Sequence, residues 1–162
     1  MNASKSARPK PTPAARPFPW AGIIASHVHG ARTKAAEQLR TTNVVVQAVQ
    51  HGLPFAELEA LQTALDLPLE KLAPKLGMSR ATLHRRKQEG RLTPIESDRL
   101  MRYARLMGHA VTVFGDETSA REWLRHPQYG LGWAVPLDYA ETEAGTREVE
   151  YLLGRIDYGE YS

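Results

Sequence analysis

The chain has 162 residues, 42% of them hydrophobic and 24% charged, which suits one domain or two small ones with a buried core and excludes a multi-domain machine. It contains no cysteine, so disulfides, thiolate zinc sites, iron–sulfur clusters and cysteine nucleophiles are excluded together. The formal charge of +3 is the remainder of uneven blocks, +6 over residues 1–35, −4 over 36–70, +7 over 71–105 and −6 over 106–162, a pattern expected where two parts meet different partners.

Residues 1–19 are rich in Pro, Ala, Lys and Arg and too poor in large apolar side chains to offset the entropy of ordering. They predict a flexible, basic, proline-rich arm over residues 1–35, with ordered structure starting between Trp20 and Glu37. Prolines 9, 11, 13, 17 and 19 break any signal-peptide core. No apolar run approaches the roughly 20 residues of a membrane span, so a cytoplasmic protein with no membrane contact is expected. The stretch 22–30, with His27 and His29, reads as a short strand or a loop.

A helix carrying Val44, Val45, Ala48 and Val49 is expected from Thr41 to the natural stop at Gly52. A second follows Pro54, buries Leu58, Leu61 and Leu65 at helical spacing, and ends before Pro68. Residues 68–87, PLEKLAPKLGMSRATLHRRK, fit two short helices joined by a tight turn. Leu69, Leu72, Ala73 and Leu76 make the apolar side of the first, Gly77 allows the turn, Ser79 caps the second, and Leu83 packs back. This is the helix-turn-helix pattern, whose second helix can lie in a DNA major groove. Its polar residues Arg80, Thr82, His84, Arg85, Arg86 and Lys87, with Arg91 beyond, are the candidate DNA contacts, able to neutralise phosphates and to bond guanine. Pro74 removes a donor inside the first helix unless it falls in the first turn, and predicts a kink.

Thr93, Pro94 and Glu96 form a capping box with proline at the first helical position. Leu100, Tyr103, Ala104, Met107, Val111 and Phe114 then predict a helix of about five turns with one buried stripe. Ala120, Trp123 and Leu124 mark a shorter helix ended by Pro127, a Gly- and Pro-rich loop runs to Pro136, and Val149, Leu152, Leu153 and Ile156 mark a last helix before Gly159. No long alternating pattern appears, so the fold class is all-α. Boundaries are expected at 36–105 for a helix-turn-helix, dimerising and DNA-binding domain, and at 106–162 for a C-terminal domain.

The segments 82–106, 114–127 and 142–162 carry several motifs in order. They are Thr82-Leu83 with Arg85-Arg86, Gly90-Arg91-Leu92, Glu96-Ser97-Asp98-Arg99, Phe114-Gly115, Trp123-Leu124, Pro136-Leu137-Asp138, Thr142-Glu143-Ala144-Gly145 and Leu153-Gly154-Arg155-Ile156. With them the chain, over about residues 43–162, resembles the Xre-type antitoxins partnered with RES-domain toxins, within the wider family sharing an Xre/MbcA/ParS toxin-binding domain. The resemblance implies an Xre/Cro-like helix-turn-helix bundle, a small helical toxin-binding domain, and a homodimer or higher-order complex with the toxin. It implies a toxin that resembles ADP-ribosyltransferases and degrades NAD, and an antitoxin whose C-terminal end covers that toxin's active site. The matching end runs from Leu152 to Ser162, and the implied toxin contacts are Trp123, Leu152, Arg155, Ile156, Tyr158, Gly159, Glu160, Tyr161 and Ser162. The loop 129–135 departs from the pattern, with Gly132-Trp133 where relatives often have paired glycines.

From the residues alone, the tail RIDYGEYS offers one cation, carboxylates and two tyrosines just past an amphipathic helix, a composition common at interface hot spots. The six histidines, His27, His29, His51, His84, His109 and His126, show no metal-ligand spacing, and no phosphate loop or dinucleotide fingerprint is present. The expected protein is therefore no enzyme, needs no cofactor and binds no metal. It neutralises a toxin, binds operator DNA and represses its own operon. The alternative is a stand-alone helix-turn-helix regulator whose C-terminal half only dimerises.

Overall fold

The computed structural model of the chain describes residues 22–28 and 42–159. Among them the helices are, in chain order, α1 (Ile23–Val28), α2 (Thr42–His51), α3 (Phe55–Leu65), α4 (Leu69–Lys75), α5 (Arg80–Glu89), α6 (Pro94–Phe114), α7 (Glu117–Arg125), α8 (Pro136–Tyr139) and α9 (Glu143–Asp157), with a 3₁₀ turn at Tyr129–Leu131. Among the described residues the only extended pairings are two isolated bridges, Pro54 with Arg91 and Gln128 with Ala134. The all-α class, a helix-turn-helix followed by a smaller helical part, is what the periodicities predict.

The centre is α6, which α1, α2, α3, α7 and α9 all touch. Its start is built as expected. The Thr93 hydroxyl accepts the Glu96 amide at 3.2 Å, Glu96 Oε2 accepts the Thr93 amide at 2.8 Å, and Pro94 sits in the first turn. Leu100, Tyr103, Ala104, Leu106, Met107 and Ala110 then face inward and are fully buried, each large side chain contributing about 1.5–3 kcal/mol by leaving water. The Tyr103 hydroxyl donates to the Leu137 carbonyl at 3.2 Å, which fastens α8 to α6, and burial pushes that hydroxyl well above the usual tyrosine range. The helix runs unbroken through the boundary expected between residues 105 and 106.

Part of the stretch expected as an arm, strand or loop is instead a core element. Ile23, Ile24 and Val28 of α1 are fully buried. A Cβ added to Gly108 of α6 would stand 2.1 Å from the His27 carbonyl oxygen, so only a bare backbone admits α1 this close. The N-terminus of α1 is closed by Glu57 of α3, itself 3% exposed, whose carboxylate accepts the amides of Gly22 and Ile24, the latter at 2.8 Å. Apolar periodicity could not reveal this, because six residues are too few to display it and the partner carboxylate lies more than thirty positions away. The rest of the expected arm lies outside the described residues.

The helix-turn-helix is closed from behind. Leu72, Ala73, Leu76, Met78 and Leu83 are buried between α4 and α5, Ser79 Oγ accepts the Thr82 amide at 3.1 Å to cap α5, and Arg99 of α6 donates to the Leu76 carbonyl at 3.0 Å. Pro74 does not fall in the first turn of α4. It lies one residue before the end, where the missing donor removes one bond from a helix already finishing, and the Gly77 and Met78 amides close the turn onto Pro74 and Ala73 carbonyls.

The basic and acidic blocks face each other in part. Lys75 pairs with Asp138 and with Glu141 (3.2 Å), Arg102 with Glu143 (3.4 Å), and Arg105 with Glu150 (3.9 Å). Some of the charge asymmetry therefore joins the two halves of one molecule, where the block pattern alone suggested separate partners.

Candidate functional site

Two exposed surfaces carry the residues singled out by the sequence. The first is the outer side of α5. Arg80, His84 and Lys87, spaced four and three apart, share one exposed face, and Arg85 lies beside them with a side chain 59% exposed. Arg85 stands 4.0 Å from Glu89, too far and too open to hold it in place. His84 faces Gln88 Nε2 at 3.2 Å. Thr82 is half-buried, its hydroxyl accepting from Ser79 at 3.0 Å.

Two of the expected DNA contacts are engaged elsewhere. The Arg86 side chain is only 13% exposed, with Nε 2.8 Å from Glu96 and Nη1 2.6 Å from Glu89. Burial pushes the Glu96 carboxyl up, but hydrogen bonds from Arg86 and from the Thr93 amide and hydroxyl outweigh it and hold the group below the usual carboxylate range. Arg91 donates through Nη1 to the carbonyls of His51 (3.1 Å) and Gly52 (2.7 Å), tying the α2–α3 turn to the end of α5. Both arginines hold the helix-turn-helix to its support. What remains on the exposed face of α5 is the set Arg80, His84, Arg85 and Lys87.

The second surface belongs to the C-terminal part. Helix α9 starts at Thr142, whose hydroxyl accepts the Gly145 amide at 3.0 Å, and its stripe Val149, Leu152 and Leu153 is buried in the chain's own core. Leu152, at 2% exposure, is thus an anchor of α9 and unavailable to a partner. Trp123 also has a partner at home, its ring 5.7 Å from that of Phe114. Arg155 and Ile156 are half-buried, and beyond them Tyr158 is 83% exposed and Gly159 turns with φ +71°. Glu160, Tyr161 and Ser162 lie outside the described residues. The result is a helix fixed along its apolar side, with Asp157 and Tyr158 exposed at its end.

Beside α9 stands the loop 128–135, which the sequence marked by Gly132-Trp133 in place of paired glycines. Tyr129 and Trp133 are 73% and 67% exposed, and their rings meet edge to face at 5.8 Å. Gln128 holds the loop at its base. Its side chain donates to the carbonyls of Trp123 (2.9 Å) and His126 (3.0 Å), its amide to Ala134 (3.0 Å), and its carbonyl accepts the Trp133 amide (2.9 Å). No signal in the sequence singled out Gln128 or Glu57, since each acts through backbone groups, those of Glu57 lying more than thirty positions away in the sequence.

Among the described residues there is no cluster of three or more potential metal ligands, and no helix is long and apolar enough to cross a membrane. Two family models match the chain, an Xre-like antitoxin helix-turn-helix domain over residues 44–105 and the Xre/MbcA/ParS antitoxin C-terminal toxin-binding domain over 109–159. A protein named antitoxin Xre from Yersinia enterocolitica serotype O:8 is 35% identical over 121 residues, covering 74% of this chain and 82% of its own length. Antitoxin Xre from Photorhabdus laumondii subsp. laumondii is 33% identical over 113 residues, 68% and 76% of the two chains. A third protein of that name, from Pseudomonas putida, is 38% identical over 68 residues, 42% and 43% of the two.

Proposed function

The chain belongs to the Xre antitoxin family, and from that premise we propose that it neutralises an NAD-degrading RES-domain toxin by laying its C-terminal end over the toxin's active site. One observation carries this reading. The apolar side of α9 is already buried at home, while Tyr158, just past its last turn, is exposed. A helix docked in this way presents a tail without refolding, and a preorganised element loses less ordering entropy on binding. The protein acts by occupancy, with no chemistry of its own.

The same molecule binds operator DNA through α5 as a cytoplasmic homodimer and represses its own operon. Helix-turn-helix dimers read half-sites about one DNA turn apart, 34–36 Å, and the exposed cations Arg80, Arg85 and Lys87 supply the phosphate contacts that fix register. Residues 36–105 serve DNA binding and dimerisation, and 106–162 serve the toxin.

The test is an NAD-consumption assay with the toxin of the neighbouring reading frame. Titrating the purified full chain into it stops NAD loss at a fixed molar ratio if the reading holds. Continued NAD loss with a saturating excess, alongside salt-sensitive operator binding, selects the stand-alone regulator instead.

A further inference from the structure

Trp133 is a tryptophan with φ +66°, and it follows Gly132, which is left-handed as well. For a bulky residue this conformation is an outlier, disfavoured relative to glycine by the clash of Cβ with the backbone. Burial does not compensate, because two thirds of the side chain faces water. The loop is otherwise stiff. Leu131 packs on the core, Gln128 ties both ends, and Gly130 lies so close to α9 that an added Cβ would be 2.6 Å from Leu152 Cδ1. Trp133 thus stands on a rigid platform in a conformation that suits glycine, with its indole edge-on to an equally exposed Tyr129.

We propose that the Tyr129–Trp133 pair is a docking hot spot for the toxin, separate from the C-terminal tail. Tyrosine and tryptophan offer large contact area with little rotamer entropy to lose, and they carry a disproportionate share of binding energy at interfaces. The occupant is the toxin, because the pair lies within the matched toxin-binding segment and its loop rests on Leu152, one turn before the exposed end of α9. The complementary surface is a shallow apolar depression with an oxygen acceptor on its rim for the indole N–H. Strained, exposed backbone at such a residue signals a function outside folding.

This inference rests on the toxin-binding reading above, and its test separates the two. The full-length chain and its Trp133→Gly and Tyr129→Ala variants are titrated against the purified toxin of the neighbouring reading frame by calorimetry, and each is melted alone. Trp133→Gly is expected to bind roughly 30-fold or more weakly, the loss typical of a hot-spot truncation, with a melting temperature equal to or above that of the parent. Tyr129→Ala weakens binding in the same direction, and Trp133→Phe restores part of it. If both truncations bind as tightly as the parent, the hot spot is overturned while toxin binding stands. If Trp133→Gly lowers the melting temperature together with affinity, the indole serves the fold and the proposal fails. Light scattering that finds the parent dimeric and Trp133→Gly monomeric assigns the patch to a second copy and overturns it too. A parent chain that does not bind the toxin at all removes both the reading and the inference.

Discussion

Arg86 of α5 and Glu96 of α6 lie 2.8 Å apart, Nε to Oε2, with side chains 13% and 10% exposed. Glu96 simultaneously accepts the Thr93 amide, so one carboxylate closes the cap of α6 and fixes α5 upon it. Arg86→Ala therefore leaves a largely buried carboxylate short of its main cation. The expected loss is about 2–3 kcal/mol of stability, measured by urea unfolding, with the salt slope of operator binding unchanged in the folded fraction. A stable variant with a shallower slope would place Arg86 on DNA.

Replacing Arg85 and Lys87 together with Ala has the opposite profile. Both are exposed and serve no tie within the fold comparable to that of Arg86. Each lost phosphate contact reduces the slope of log affinity against log salt by about 1, so the double variant loses about 2 while its melting temperature stays put. An unchanged slope in a filter-binding series would move DNA recognition away from α5.

Acid should release the α5–α6 tie. The Glu96 carboxyl is held below its ordinary value, so its contribution is present above an unfolded carboxylate value of about 4.5 and is lost as pH falls through the lower folded value. Glu96→Gln, less stable at neutral pH, flattens that limb, and the difference between the two unfolding free energies shrinks as pH drops below about 4.5. A constant difference from pH 7 to pH 3 would contradict the assignment.

Glu57 behaves in the other sense. Burial pushes its carboxyl up, partly countered by bonds from the Ile24, Gly22 and Ile23 amides. A raised carboxyl favours the folded state below its unfolded value and loses that advantage as pH rises through the folded one. Glu57→Ala orphans the amides that begin α1 and should cost about 1–3 kcal/mol. Hydrogen exchange over Gly22–Val28 should then speed up more than exchange in α6. Uniform acceleration would mean that α1 opens only with the whole fold.

The helices with long apolar stripes, α3, α6 and α9, were legible because each buries enough residues to show its period, and the α6 start because its cap is local in sequence. Helix α5 was legible in place but not in the duties of its residues. Arg86 and Arg91 look the same as Arg85 in the sequence, and only the fold brings Glu96 and the His51 and Gly52 carbonyls to them. Leu152 shows the same limit, since an apolar stripe does not say whether it faces its own core or another protein. The short α1 and the Tyr129–Trp133 pair depend on the close approaches at Gly108 and Gly130, which leave no periodic trace.

The most direct measurement removes only Asp157 to Ser162 and follows NAD breakdown by the toxin in the purified complex. Because α9 keeps its buried Val149, Leu152 and Leu153, the shortened chain should stay folded, bind DNA and still capture the toxin, yet NAD breakdown should return to the rate of free toxin. A shortened chain that captures the toxin and inhibits it as fully as the parent would place the occluding element elsewhere and contradict the central claim.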